Sequence, residues 1–301
     1  MIVYDLKTMS RTEINENTIV ALGTFDGCHY AHRKVLSEAF YEAKRQGIKS
    51  VAYTFSSIPK NSKSIFTLEE KIKAFSKIGI DYVAVDSFDE IKNLSSSEFF
   101  ENVLIGSLKA VGASCGYNYK FGKGASANAT DLEQMFSKIN GGSVKICEKI
   151  AIDNTTVSSS HLRSLIENGR IEELDNFGTK YTVYAKVEAG KQLGSKIGFP
   201  TINQKIPDEK IVPKRGVYIT ECEIGEDVYP SVTNVGIRPS VDDGNDINME
   251  TFIIGYRGIL YHSYIKVNFY KYLRAEVKFN SLEELTKQIG TDAKKAEEYF
   301  K

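Results

Sequence analysis

The 301-residue sequence predicts an α/β chain of two domains. The first, residues 1–180, has a mostly parallel sheet; the second, residues 181–301, is an antiparallel β-barrel with a terminal helix. Three observations predict this. Up to about Gly178, apolar strand-like runs alternate with segments of helical spacing, which implies a parallel sheet with helices on both faces. Beyond Tyr181 strand signals follow one another with no helix between them, which implies an antiparallel sheet or small closed barrel. The end, Leu282 to Phe300, is helical again. The length suits two ordinary domains, each with its own core, and 42% hydrophobic with 26% charged residues is a globular composition.

In order, Thr18 to Leu22 is an apolar strand. Arg33 to Gln46 follows as a helix, with Val35, Leu36, Ala39, Phe40 and Ala43 recurring at intervals of three and four. A strand near Ser50 to Phe55 leads to a helix from Thr67 to Gly79, opened by the capping-box pair Thr67 and Glu70. A strand at Asp81 to Val85 precedes a helix opened by Ser95 and Glu98. Strands at Val111 to Cys115 and Val144 to Lys149 flank a helix from Asp131 to Ile139. The last helix of this half begins near Ser159 and stops at Gly169. The second half contains strands at Tyr181 to Glu188, Gly216 to Ile224, Val228 to Thr233, Met249 to Gly255 and Tyr264 to Tyr270, with Gly225-Glu226-Asp227 as a hairpin turn. Gly190 to Asn203 reads as a glycine-bearing loop, Asn234 to Pro239 as another turn, and Glu250 as the residue that opens an apolar strand.

Composition removes several function classes. Thirty-nine basic residues balance thirty-nine acidic ones, so nothing suggests capture of nucleic acid or of an anionic membrane. Four dispersed cysteines without Cys-x-x-Cys fit a reducing compartment. No run approaches the about 20 apolar residues of a membrane span, and the N-terminus lacks a secretory core. These features predict a cytoplasmic location and no membrane partner.

The most informative segment is Gly23-Thr24-Phe25-Asp26-Gly27-Cys28-His29-Tyr30-Ala31-His32, which carries two of the four histidines. It reads as strand, glycine turn, helix, with both imidazoles in the first helical turn. Free N–H groups and the positive helix end suit an anion such as phosphate there, and two histidines at i and i+3 share a face. Packed histidines, or a zinc site using Cys28, are the competing readings; no second Cys/His cluster completes the latter. Ser158-Ser159-Ser160-His161-Leu162-Arg163 offers hydroxyls and a planar cation at another helix start. Gly116 to Gly124 is an aromatic, glycine-rich loop able to receive a flat ring or simply to pack. In the second domain, glycines from Gly190 to Gly198 allow backbone approach to phosphates, while Thr201 and Asn203 are hard oxygen ligands of the kind magnesium takes. Glu250, at the mouth of the barrel, suits a general base toward an alcohol; an exposed strand-end carboxylate is the alternative.

Taken in order, these segments resemble the bifunctional bacterial riboflavin kinase/FMN adenylyltransferase (FAD synthetase) family across essentially the full length. The His29/His32 segment is similar to a nucleotidylyltransferase His-x-Gly-His motif, and Ser159-Ser160-His161-Leu162-Arg163 to that superfamily's ATP-binding Ser-Ser/Thr-x-Ile-Arg. Gly198-Phe199-Pro200-Thr201-Ile202-Asn203, Asn234-Val235-Gly236-Ile237-Arg238-Pro239, Glu250 and Leu273-Arg274-Ala275-Glu276-Val277-Lys278-Phe279 match kinase-domain segments. The resemblance implies a Rossmann-like nucleotidylyltransferase domain followed by a riboflavin kinase-like barrel. In the barrel, ATP phosphorylates riboflavin to FMN, with Glu250 as base, Thr201 and Asn203 holding Mg2+, and Gly194, Lys196, Gly198, Pro200, Asn234 and Arg274 binding ATP and phosphate. In the first domain FMN is adenylylated to FAD with release of pyrophosphate. His29 and His32 act there on the phosphates, Gly23, Phe25, Asp26, Gly27, Ser159, Ser160 and Arg163 bind ATP, and Asn118, Tyr119 and Phe121 form a flavin-side loop. The implied partners are small molecules only, and the implied assembly is a monomer or weak homo-oligomer. The chain departs from the family at Ala31, where Gly is usual, at Ser56-Ser57-Ile58-Pro59 in place of Glu-Pro-His-Pro, and at Ser195 in place of Arg. A flavin-binding or regulatory protein with one or both activities lost is the alternative these departures motivate.

Overall fold

The computed structural model describes residues 1–6, 14–56, 63–188, 198–239 and 245–301. It divides into two compact units, Met1–Ser159 and Ser160–Lys301. Gly194, Lys196 and the Ser57-Ile58-Pro59 part of the family departure lie outside the described residues.

The first unit is built on strands β1 (Ile2–Asp5), β2 (Thr18–Leu22), β3 (Lys49–Phe55), β4 (Tyr82–Asp86), β5 (Ala110–Gly116) and β6 (Ser143–Cys147). They form one parallel sheet in the order β1-β4-β3-β2-β5-β6. Every residue of β2 is buried, as expected of a central strand covered on both faces. Helices α1 (Tyr30–Gln46) and α2 (Leu68–Ile78) cover one face, where Leu36, Ala39 and Phe75 pack with Ile19, Ala21 and Val83. On the other face Phe99, Leu104 and the α3 (Ala129–Phe136) residues Leu132 and Phe136 join Val20, Leu22 and Val51. Chain order reverses between β2 and β5, so the switch point lies at the carboxyl end of β2, where open α/β sheets bind ligands.

Two local expectations are corrected. The sequence reading passed over β1, a four-residue edge strand whose Ile2 and Val3 are exposed. Ser95 and Glu98 do form a reciprocal capping box, but the turn they open widens into a π-helix over Phe99–Ser107. Gly106 permits this, because a Cβ there would lie 3.0 Å from the Glu101 carbonyl oxygen.

Helix α4 (Ser159–Glu167) spans the division between the units. The second unit is a closed six-stranded barrel of β7 (Tyr181–Glu188), β8 (Thr201–Lys205), β9 (Gly216–Ile224), β10 (Asp227–Pro239), β11 (Asn245–Ile253) and β12 (Tyr264–Arg274). The order is β7-β8-β11-β10-β9-β12, antiparallel throughout. Alternation along the strands places Tyr218, Met249, Val267 and Phe269 inside. They share the interior with a string of hydroxyls: Thr220 lies 2.8 Å from both Ser231 and Thr233, and Thr233 2.9 Å from Thr251. Helix α5 (Leu282–Tyr299) lies against the outer wall, with Ala296 buried on Val217, Ile219 and Val232.

Three barrel expectations are corrected together. Thr201 to Lys205 is a strand, not the end of a loop; Asn234 to Pro239 continues β10 instead of turning; and Glu250 lies within β11 instead of opening it. Gly236 explains the second error. A Cβ on it would come within 2.2 Å of Glu276 Oε1, so this glycine admits a close neighbour rather than bending the chain.

Candidate active sites

In the first unit the site begins where β2 ends. Phe25 and Cys28 have positive φ (50° and 39°), as does Gly27 at 77°, and Cys28 N–H donates to Phe25 O at 3.1 Å. Gly23 is needed because a Cβ there would sit 3.0 Å from the Phe25 ring. The turn is fastened on three sides. Asp26, fully buried, accepts the backbone N–H groups of Ile65 and Phe66 at 2.8 and 3.0 Å. Thr54 Oγ1 donates to Thr24 O at 3.0 Å, and Ser159 Oγ donates to Asp26 O at 2.8 Å. Both the Asp26 carboxylate and the Ser159 hydroxyl therefore support the turn. The buried Phe25 ring lies 5.5 Å edge-on to both Phe75 and His32, so it packs into the core.

His29 is the N-cap of α1, one step before the first turn where it was expected, and its Nδ1 accepts the His32 N–H at 3.4 Å. The two rings stack at 3.7 Å with 17° between planes. His29 is 3% exposed, and burial pulls its imidazole down to about 4 against a weaker opposing backbone hydrogen bond. The ring is thus neutral at pH 7. Because Nδ1 is an acceptor, the proton resides on Nε2, which makes that nitrogen a donor. Burial pushes the neighbouring Cys28 thiol up to about 11, so by itself it stays a protonated thiol at neutral pH. Among the described residues no group of three His, Cys, Asp or Glu side chains is arranged to hold a metal.

The His29 shift has a stability consequence. The unfolded chain binds its proton near 6.5 and the folded chain only near 4, so this residue costs nothing above pH 6.5. Below it, stability falls progressively to pH 4, by about 3 kcal/mol in total. Urea unfolding at pH 7 and pH 5 should show this slope, and His29→Asn, whose amide can still cap the helix, should remove it.

Across the switch point, the loop after β5 carries Asn118, exposed, and Tyr119, half-buried and stacked at 5.8 Å on Phe121. Phe121 is buried against Phe99, so it supports Tyr119 from behind. At the carboxyl ends of β3 and β4, Tyr53 OH donates to Asp86 Oδ2 at 2.8 Å. Burial raises both groups. Nothing local in the sequence marks this pair. Ser160, exposed, and Arg163, half-buried, follow Ser159 on α4 within the second unit.

In the barrel unit, strand register assembles the second site. Arg274, Val217, Asn234, Glu250 and Asn203 are successive cross-strand partners on β12, β9, β10, β11 and β8. Lateral partners share a face, and this face is the outer wall beneath α5, not the barrel mouth expected for Glu250. Thr201, Asn234, Glu250 and Arg274 line a cleft of about 260 Å³. Glu276 and Asp292 also line it, as do the apolar Phe252, Val277, Phe279, Leu285 and Ile289 among others. Asn203 lies one strand from Glu250 but is buried, with Oδ1 accepting from Asn248 Nδ2 at 3.2 Å. Gly198 (φ 85°) and Pro200 are exposed before β8, and Phe199 between them packs at 5.0 Å on Phe252. Sequence reasoning missed the α5 contribution, although Leu285, Ile289 and Asp292 fall at i, i+4 and i+7, one helix face.

These features define a two-domain chain, with a helix N-terminus at a parallel-sheet switch point in one half and a carboxylate-bearing outer cleft on a closed barrel in the other. Family comparison agrees in both halves. Residues 11–161 match the family described as FAD synthetase, and residues 177–300 the one described as riboflavin kinase. The chain belongs to the bifunctional riboflavin kinase/FMN adenylyltransferase family. Relatives of that description from Bacillus subtilis (32% identity, 96% of this chain and 94% of the relative), Listeria monocytogenes (28%, 99% and 96%) and Escherichia coli K12 (27%, 95% and 93%) align over nearly their whole lengths. A crystal structure described as a macrolide-efflux protein from Streptococcus pneumoniae has TM-score 0.87 at 25% identity, covering 98% of both chains. The two share their fold; among the described residues of this chain no helix is long and apolar enough to cross a membrane.

Proposed function

We propose that the chain carries out both reactions of its family: ATP-dependent phosphorylation of riboflavin to FMN, then adenylylation of FMN by a second ATP to FAD. The observation that carries the reading is the presence, in one chain, of a cleft that pairs an apolar slot with Glu250, and of a neutral histidine capping a helix at a sheet switch point.

In the barrel, the flat flavin ring suits the slot between Phe252 and the Leu285/Ile289 face of α5, with its ribityl chain toward Glu250. Glu250 accepts the proton of the 5′-hydroxyl as that oxygen attacks the γ-phosphorus of ATP, and ADP leaves. The hydroxyl of Thr201 and the amide oxygen of Asn203 would hold Mg2+, a hard cation that takes few protein oxygens and completes its shell with water and phosphate. Thr201 lines the cleft with the Glu250 carboxylate, and Asn203 is the cross-strand partner of Glu250 with a second lone pair beyond its Asn248 bond, which fits that ion; it would neutralise charge on the ATP phosphates. Asn234 and Arg274 take phosphate contacts, as do Gly198 and Pro200 at the start of β8.

In the first domain an FMN phosphate oxygen attacks the α-phosphorus of ATP and pyrophosphate leaves. His29 Nε2–H and His32 donate to the phosphates beside the α1 N-terminus, a charge-stabilising arrangement already in place before reaction. Gly23, the Phe25 backbone, Gly27, Ser160 and Arg163 complete the ATP contacts, Asp26 and Ser159 act by holding the turn, and Asn118 with Tyr119 forms the flavin side. The functional boundary falls at 180/181, ahead of the first barrel strand at Tyr181 and close to residue 177, where the riboflavin kinase match begins. The site of action is the cytoplasm, consistent with four free, buried cysteines, and the working form is a monomer or weak homo-oligomer.

Supplying riboflavin and ATP should release ADP, whereas FMN and ATP should release pyrophosphate; pyrophosphate formation from FMN that does not occur would refute the second activity. Ala31 bears on the same step. It is half-buried at the second position of α1. Ala31→Gly should lower stability by up to about 1 kcal/mol while leaving pyrophosphate release of the same order, measured by thermal melts and a phosphate-coupled assay.

A further inference from the structure

Arg274 and the terminal helix are joined by a buried ion pair that the reaction as described does not use. Asp292, on α5, is 1% exposed. Its Oδ2 accepts Arg274 Nε at 2.9 Å and pairs with Nη2 at 2.8 Å, and its Oδ1 accepts Gln288 Nε2 at 2.9 Å. Arg274 Nη1 donates to Ala275 O at 3.1 Å, and the guanidinium lies 5.9 Å from the Phe279 ring centre. Of the five guanidinium N–H groups, these bonds leave two on a residue that lines the cleft.

The charges in the cleft show what the pair accomplishes. Among the described residues three carboxylates line it, those of Glu250, Glu276 and Asp292, with a single guanidinium, Arg274. Glu276 is engaged by Asn234 Nδ2 at 3.3 Å. Arg274 and Glu250 belong to the same lateral row of side chains, three strands apart. A planar fork held by one carboxylate is fixed in direction as well as place.

We propose that Asp292 is a positioning residue of the kinase step: it aims the remaining Arg274 N–H groups at the phosphoryl oxygens of the donor and ties α5 over the flavin slot. The inference rests on the kinase reading above. Asp292 touches no reacting atom; it acts through Arg274 and through the helix.

The test is a double-mutant cycle on the full chain with riboflavin, ATP and Mg2+. Asp292→Asn and Arg274→Ala should each lower kinase kcat/KM by about tenfold or more, the scale of a lost charge-assisted hydrogen bond. The double variant should be no slower than Arg274→Ala alone, because both changes remove one effect. FMN-to-FAD conversion by the same Asp292→Asn protein should stay at the wild-type rate. Kinase activity of Asp292→Asn within about twofold of wild type, or losses that multiply in the double variant, would overturn the proposal. Should Asp292→Asn lose the FAD step as well, Gln288→Ala decides: a several-fold loss confined to FMN formation supports it, and an unchanged kinase refutes it. If wild-type protein forms no FMN, the kinase reading itself fails and this inference with it; a kinase indifferent to Asp292 fails the inference alone.

Discussion

Glu250→Gln is expected to lower FMN formation from riboflavin by about two to four orders of magnitude, the range a positioned general base contributes. The amide keeps the shape of the side chain but cannot take the hydroxyl proton. Glu250 is exposed within β11 and faces the cleft beside Asn234, so the substitution creates no cavity and buries no unpaired group. Stability should therefore stay near wild type, and conversion of supplied FMN to FAD should be unaffected. Separating flavins after incubation with riboflavin or with FMN reads both arms. A variant that retained normal FMN formation would remove Glu250 from the mechanism.

The second large effect is at His29. His29→Asn should reduce FAD formation from FMN by about two to three orders of magnitude, the scale of a lost donor to developing phosphate charge, and spare riboflavin phosphorylation. Asparagine is chosen because it can accept the His32 N–H as His29 Nδ1 does, which separates catalysis from helix capping. Loss of the imidazole also removes the stacked partner of His32, so part of the effect passes through His32. Alanine at the same position would add the loss of the cap, of about 1 kcal/mol. Similar FAD yields from His29→Asn and wild type would show that the phosphates lie elsewhere.

The His29 segment is legible in the sequence because local pattern carries it, whereas Glu250 is marked only by the family resemblance, its spacing alone reading as an exposed strand-end carboxylate. The Gly-x-Phe-Asp-Gly turn before His29 demands positive φ, and the structure has it at Phe25, Gly27 and Cys28. Thr67 and Glu70 form the reciprocal cap their spacing announces, and the uninterrupted strand signals after Tyr181 become a closed barrel. What was not legible depends on distant partners. Asp26 reads as a phosphate-side residue until Ile65 and Phe66, about forty positions on, are seen to occupy its carboxylate. The row from Arg274 to Asn203 exists only through strand register. Gly236 misleads because glycine marks both turns and close approaches, and only the position of Glu276 tells them apart. Asp292 looks like an ordinary helical aspartate until α5 is laid on the outer wall.

One chain is expected to make two flavin products in succession. The direct measurement is a time course of flavin species after mixing the purified full-length chain with riboflavin, excess ATP and Mg2+. The expected result is that FMN rises first and then declines as FAD accumulates, with one pyrophosphate released per FAD. Accumulation of FMN with no FAD, or bound riboflavin left unchanged, would contradict it.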